Sequence, residues 1–269
     1  MAIRVGTQPI LRFYAGPVPS AFDTDYQAVL DYATLQGYTL PSSGQQTLQN
    51  QLVLDLKASG AWAGMSIFYN MATDGDSDFA GINWVDPNNF ELTPINSPTF
   101  TTNSGFTGNG TSMVLDTGFV PSTDWGSSTD VSMGGWATLN GSQGTIIGSF
   151  VTERTHLLHK FVGDGQTYAA LGGNSGTFGT PTQTSGLWVV DNSGAGTNRL
   201  YVNGSLIATR SISFAGWSSV SLSIIARKRS NTPTFDNYGG GNTYKMAFYG
   251  TRTVGQNIYT PFNDYLNAI

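Results

Sequence analysis

Asn198-Arg199-Leu200-Tyr201-Val202-Asn203-Gly204-Ser205-Leu206-Ile207-Ala208 is the stretch that decides the fold class. Two short apolar runs flank Asn203-Gly204, and Asn-Gly tolerates the positive φ angles that a two-residue hairpin turn demands. Outward from it the pattern repeats. Met113–Leu115, Val131–Leu139, Thr145–Phe150, Thr155–Val162, Thr167–Leu171, Gly186–Asp191, Asn198–Val202, Ser205–Ile212, Ser221–Ala226 and Tyr244–Gly250 are runs of strand length between Gly, Asn, Ser and Thr turns. Many short strands at such spacing predict a mainly β protein, a sandwich or jelly roll.

The segment ahead of residue 80 reads differently. Asp23 or Thr24 caps a helix whose Tyr26, Val29, Leu30 and Ala33 recur at helical spacing, and Gly37 ends it. Pro41–Gly44 makes a turn. A second helix is predicted from about Gln45, with Leu48, Leu52, Leu56 and Trp62 on one face and Gly60 and Gly64 as stops. The pair forms a helical hairpin over 21–66, too small to stand alone, and 67–79 reads as an acidic linker loop. Residues 1–20 carry Pro9, Pro17 and Pro19 among Ile10, Leu11, Phe13 and Tyr14, which predicts an extended arm that docks on its own domain or on a partner. Residues 80–269 form the sandwich and close on a helix with Ile258, Phe262, Tyr265 and Leu266 at helical spacing.

Composition excludes several classes. Only 11% of the 269 residues are charged, against about 25% in an average protein. Net charge is −5 and the one basic run is Arg227-Lys228-Arg229, read as a solvated strand end, so a nucleic-acid partner is not expected. There is no cysteine and hence no disulfide or thiol chemistry. The start, Met1-Ala2-Ile3-Arg4-Val5-Gly6, lacks the apolar core of a signal peptide, and no apolar run is long enough for a membrane span. These features predict a chain made in a cytoplasm that works outside one.

The hairpin at 198–208 resembles the corresponding hairpin of laminin-G and concanavalin A-like sandwiches, and Gly186–Asp191, with its Trp188, resembles the strand before it. Phe106–Ser122, which holds Phe106-Thr107-Gly108-Asn109-Gly110 and Asp116-Thr117-Gly118-Phe119-Val120-Pro121-Ser122, resembles a stretch of the lectin-like domains of tailed-phage structural proteins. Leu54-Asp55-Leu56-Lys57-Ala58-Ser59-Gly60-Ala61-Trp62, followed by Met65, resembles the helix that precedes that domain there. The resemblance covers about residues 21–269. It implies a concanavalin A-like jelly-roll sandwich in a virion component, a head or tail appendage or decoration. Its partners would be other virion proteins, met through residues 1–66, host surface glycans, and further copies of itself. The alternatives are a free carbohydrate-binding lectin and, more weakly, a glycoside hydrolase.

A hydrolase needs two carboxylates flanking the sugar. The chain has two glutamates, Glu91 in a Pro- and Asn-rich loop and Glu153 beside Arg154, far apart in sequence, so no enzyme is expected. Asp74, Asp76 and Asp78 alternate in a loop in the way that suits calcium, although Phe79 and Val85 occupy the places where an EF-hand needs Gly and Glu. The solvated-loop reading competes with the metal. His156 and His159, three apart on a strand, point to opposite faces, one to the core and one to solvent. No Ser-His-Asp set or phosphate loop is legible. For sugar binding, Trp125, Trp217, Tyr238 and Tyr244 are the candidate platforms, each also a candidate for core or rim, while Trp136 and Trp188 belong to the core.

Overall fold

A computed structural model describes residues 22–126, 129–140, 143–161, 163–180, 182–192, 194, 196–230, 234–236 and 238–269. The arm expected at 1–20 lies outside the described residues. The two helices form where capping and spacing place them. α1 (Thr24–Gln36) starts at Asp23, whose carboxylate accepts the Asp25 N–H, and ends at Gly37 with φ 79°. Its buried residues are Tyr26, Val29, Leu30 and Ala33, the four that share one face in the sequence. α2 (Ser43–Ala58) starts at Ser42, and Gly60 follows at φ 78°. It stops short of Trp62, which sits in a separate single turn. Lys57 ties the hairpin together, reaching Asp23 at 2.6 Å and Asp25 at 2.7 Å.

One sheet runs β13 (Ser205–Ser211), β12 (Thr197–Val202), β11 (Ser185–Asn192), β6 (Val131–Thr138), β17 (Thr243–Thr251), β4 (Gly105–Thr107) and β3 (Thr99–Thr101), with β1 (Met65–Asn70) also paired to β17. The other runs β10 (Gly176–Thr177), β9 (Tyr168–Gly173), β8 (Arg154–Lys160), β7 (Gly144–Phe150), β14 (Ser223–Ile225), β5 (Val114–Asp116) and β2 (Thr93–Ile95). A short ribbon, β15 (Arg227–Lys228) with β16 (Phe235–Asp236), joins it beside β7. Pairing is antiparallel throughout except β15 with β7. At the β12–β13 turn Asn203 and Gly204 both take positive φ, 50° and 75°. The Asn203 side chain accepts the Leu187 N–H at 2.9 Å, which locks the hairpin to β11.

The two sheets enclose one core, built from residues such as Ile67, Tyr69, Met133, Leu157, Trp188, Val190, Leu200 and Tyr249. A second core lies on the outer face of the first sheet, where Phe68, Trp136, Leu187, Val189, Met246 and Phe248 meet α1, α2, and the closing helices α4 (Arg252–Asn257) and α5 (Tyr259–Ala268). Phe262 on α5 lies 5.8 Å from Trp136 and 6.3 Å from Phe68, centroid to centroid, and is fully buried. A one-turn helix, α3 (Pro121–Asp124), completes the set.

The layering corrects the expected boundaries. Residues 65–70, divided in the sequence reading between the hairpin and a linker, are strand β1 in the middle of the molecule. Both faces of this strand are covered, so its residues read as one apolar run and hide the alternation that marks a half-exposed strand. The helical hairpin packs on the rest of the molecule as its small size requires, sharing a core with the first sheet. Among the described residues no helix is long and apolar enough to cross a membrane.

Candidate functional site

β8 places Thr155, Leu157 and His159 inward and Arg154, His156 and Leu158 outward, as strand alternation requires. His159 packs edge-on against Trp188 at 5.6 Å in the core. His156 faces the other way, yet both histidines are buried, at 3% and 0% exposure. The expectation that one would be exposed fails because Arg227, from the β15–β16 ribbon, and Ser175 meet the two nitrogens of the His156 ring. Gly148, paired with His156 on β7, gives the ring its place: a Cβ built there would lie 2.4 Å from that of His156.

Beside the ribbon lies a cleft of about 320 Å³, lined by Phe150, Arg154, Leu158, Phe161, Tyr168, Ser175, Arg227, Arg229 and Asp236. Three guanidinium groups surround the one Phe150 ring: Arg154 at 4.7 Å from its centroid, Arg227 at 5.2 Å and Arg229 at 5.3 Å. Arg227 is engaged at all three of its nitrogens. Its Nε and Nη2 donate to the two oxygens of Asp236 at 2.8 and 2.7 Å, and its Nη1 meets His156 Nδ1 at 3.3 Å. A guanidinium has only donors, so Nδ1 accepts, and the imidazole proton sits on Nε2, which donates to Ser175 Oγ at 2.9 Å. Burial, then the charges of Arg227 and Arg154, hold the His156 pKa well below its usual value, so the ring is neutral. Burial, reinforced by Arg227 and Arg229, also lowers the pKa of Arg154, which remains charged.

Charge in the cleft does not balance. Three arginines face one lining carboxylate, which leaves two positive charges. Arg229 touches Asp236 at 3.4 Å with its side chain half exposed, and Arg154 has no carboxylate partner among the described residues. At the far wall Phe161 packs edge-on against Tyr168 at 5.3 Å, and the Tyr168 hydroxyl donates to Asp164 at 2.7 Å. Arg227-Lys228-Arg229, expected to be a solvated strand end, is divided by strand alternation. Arg227 and Arg229 enter the cleft, and Lys228 turns away to Asp116 at 2.6 Å.

None of the residues singled out for sugar binding lines this cleft. Tyr244 and Trp217 are buried, at 1% and 8% exposure. Trp217 packs against Phe214 at 5.1 Å, and Trp125 lies half-buried against Tyr249 at 5.2 Å. Tyr238 is half-buried close to Asp236, whose charge adds to burial in raising its pKa. The loop acids have structural partners: Asp74 accepts the Ser42 N–H at 3.1 Å, and Asp76 accepts the N–H groups of Thr39 at 2.6 Å and Phe79 at 2.8 Å. Burial and the charges of Asp76 and Glu91 raise the Asp78 pKa. Among the described residues no three His, Asp or Glu side chains converge to hold a metal. Glu91 is held by Tyr32 at 2.9 Å and Tyr38 at 2.7 Å, and Glu153 stands on the β7–β8 turn. Among the described residues, Asp236 is the one carboxylate that lines the cleft, and Arg227 engages it.

Two sheets packed face to face, with helices over one of them, make this a mainly β sandwich protein. No family model matches the chain, and no curated protein matches it. Solved structures with the same sandwich include botulinum neurotoxin type C, which depends upon interaction with two ganglioside molecules to enter cells: TM-score 0.50, 13% identity, 77% of this chain and 53% of that one. Another is the binding domain of botulinum neurotoxin DC in complex with SialylT: TM-score 0.50, 10% identity, 76% and 52% of the respective chains. The chain spans about half the length of these two structures.

Proposed function

We propose that the chain is a non-catalytic glycan-binding protein that recognises sugars in the cleft between β7–β9 and the β15–β16 ribbon. The observation that carries this reading is the cleft itself: aromatic walls at Phe161 and Tyr168, with Arg154, Arg229 and Ser175 converging as donors on a rigid sheet. A cleft of that size with few, well-placed polar groups is what a small-ligand site needs. The sandwich shared with two neurotoxin structures, one held with a sialyl ligand and one dependent on gangliosides, supports it.

The full chain on a glycan array is expected to give saturable binding that Tyr168→Ala abolishes while the melting temperature stays within a few degrees. An array with no saturable signal overturns the reading. We further propose that the protein is a virion appendage or decoration with residues 1–66 facing its particle, in keeping with the resemblance of Gln49–Trp62 and Phe106–Ser122 to tailed-phage structural proteins. The expected outcome is a fixed copy number in particles purified from the producing culture, lost on deletion of residues 1–20. Protein found only free in the lysate favours a free lectin.

A further inference from the structure

We propose that the cleft takes one oxoanion, the carboxylate or sulfate ester of an acidic sugar, with Arg154 and Arg229 as the groups that touch it and Arg227 as a positioning residue. This rests on the glycan reading above and names the substrate class of that site. The division of labour follows from how each guanidinium is used. Arg227 is committed at all three nitrogens: Asp236 takes Nε and Nη2, His156 takes Nη1, and the side chain is 8% exposed. It fixes Asp236 and the ribbon. Arg154 and Arg229 are placed alike on the Phe150 ring, but their forks are not consumed. Arg154 has no carboxylate within ion-pair distance among the described residues, and Arg229 has one contact of 3.4 Å with an oxygen that Arg227 already holds at 2.7 Å.

Like charges gathered on one ring cost stability unless something offsets them. Here the offset is incomplete by two charges, and the neutral His156 adds none. Planar guanidinium forks match carboxylate and sulfate oxygens in pairs, and these forks are held in place before any ligand arrives, which lowers the entropic cost of binding. Ser175 adds a third donor: its Oγ accepts from His156 Nε2, which leaves the hydroxyl hydrogen free to turn into the cleft it lines. Phe161 and Tyr168, on the opposite wall, are placed for the apolar face of the sugar that carries the anion.

The test is calorimetric titration of the full chain with sialyllactose, with sulfated lactose and with lactose, alongside thermal shift in inorganic sulfate. One of the two acidic sugars is expected to bind at least about tenfold tighter than lactose, an effect of one charge-assisted fork. Affinity should weaken as sodium chloride rises. Arg154→Gln and Arg229→Gln should each lower it about tenfold or more, and Arg154→Lys should recover only part, because an ammonium keeps the charge and loses the fork. Whichever acidic sugar binds identifies the anion as carboxylate or sulfate. Lactose binding as tightly as either acidic sugar, with salt and both Gln variants without effect, overturns the inference and leaves the glycan reading standing. If no sugar binds but sulfate raises the Tm of the unsubstituted chain and not of Arg154→Gln, the anion site stands and the glycan reading falls. No response to any of the four probes overturns both. The salt series needs no variant, so it decides even where a substitution fails to fold.

Discussion

The two outer faces of the sandwich are made by strands of similar length, and they have opposite fates. On the first sheet, Phe68, Trp136, Leu187, Val189, Met246 and Phe248 point outward and are roofed by α1, α2, α4 and α5. On the second, β8 points Arg154, His156 and Leu158 outward, toward the cleft that the β15–β16 ribbon borders. The difference teaches where function sits in this molecule. An apolar outer face must be covered, and covering it removes it from solvent for good. An outer face of arginines cannot be roofed by helices without leaving unpaired charge in the interior, so it stays open and available to a ligand.

That contrast can be broken most severely from the roofed side. Phe262→Ala empties a site between Phe68, Trp136 and Tyr265 and is expected to cost about 3–5 kcal/mol, read from the midpoint of denaturant unfolding. A loss below about 1 kcal/mol would mean that the helices are not integral to the fold.

Acid should come next. Burial, with Lys160 adding to it, holds His159 down to about 4. An unfolded histidine titrates near ~6.5. Between those values the unfolded chain binds a proton that the folded chain refuses, so stability is complete above ~6.5 and is lost as pH falls toward 4, by about 3 kcal/mol. Buried His156 acts in the same direction. His159→Gln should flatten the stability curve over that window, and a curve as steep as before would remove His159 as its source.

A pair of arginine substitutions sharpens the comparison. Arg199 lies on the roofed sheet and holds the fully buried Asp191 through both oxygens, at 2.8 and 2.7 Å. Arg199→Met leaves that carboxylate buried without its counter-charge and should cost about 3 kcal/mol. Arg154→Met in the open cleft removes a charge that lacks a carboxylate partner and should change stability by less than about 0.5 kcal/mol, or raise it. Equal losses in the two melts would mean that the cleft arginines serve the fold. At the α2 cap a modest loss is expected, about 1 kcal/mol for Ser42→Ala by thermal melt.

Much of the architecture was legible. The caps and helical spacing of Thr24–Gln36, the Asn203-Gly204 turn and ten of the strand segments can be read from neighbours a few residues apart, because local geometry is what those residues control. β1 was not legible, since burial on both faces erases alternation. Nor were the three-residue strands at Thr93–Ile95, Thr99–Thr101 and Gly105–Thr107, which exist because a partner strand pairs with them. The site was the least legible part. Its lining comes from residues 150 to 175 and 227 to 236, on strands brought together only by the sheet order. The one available signal was Arg227-Lys228-Arg229, where strand alternation sends the two arginines to the same face.

By itself, then, the sequence determined the two helices, the hairpin, the strand-rich class and the scarcity of charge, all matters of local dihedral preference and composition. Only the tertiary structure decided which sheet face is covered, that both histidines are buried, that Tyr244 and Trp217 lie inside the sandwich, and that three arginines meet on one phenylalanine. Those outcomes depend on contacts between residues tens of positions apart. No local preference encodes such a contact, because its free energy exists only once the sheets have packed.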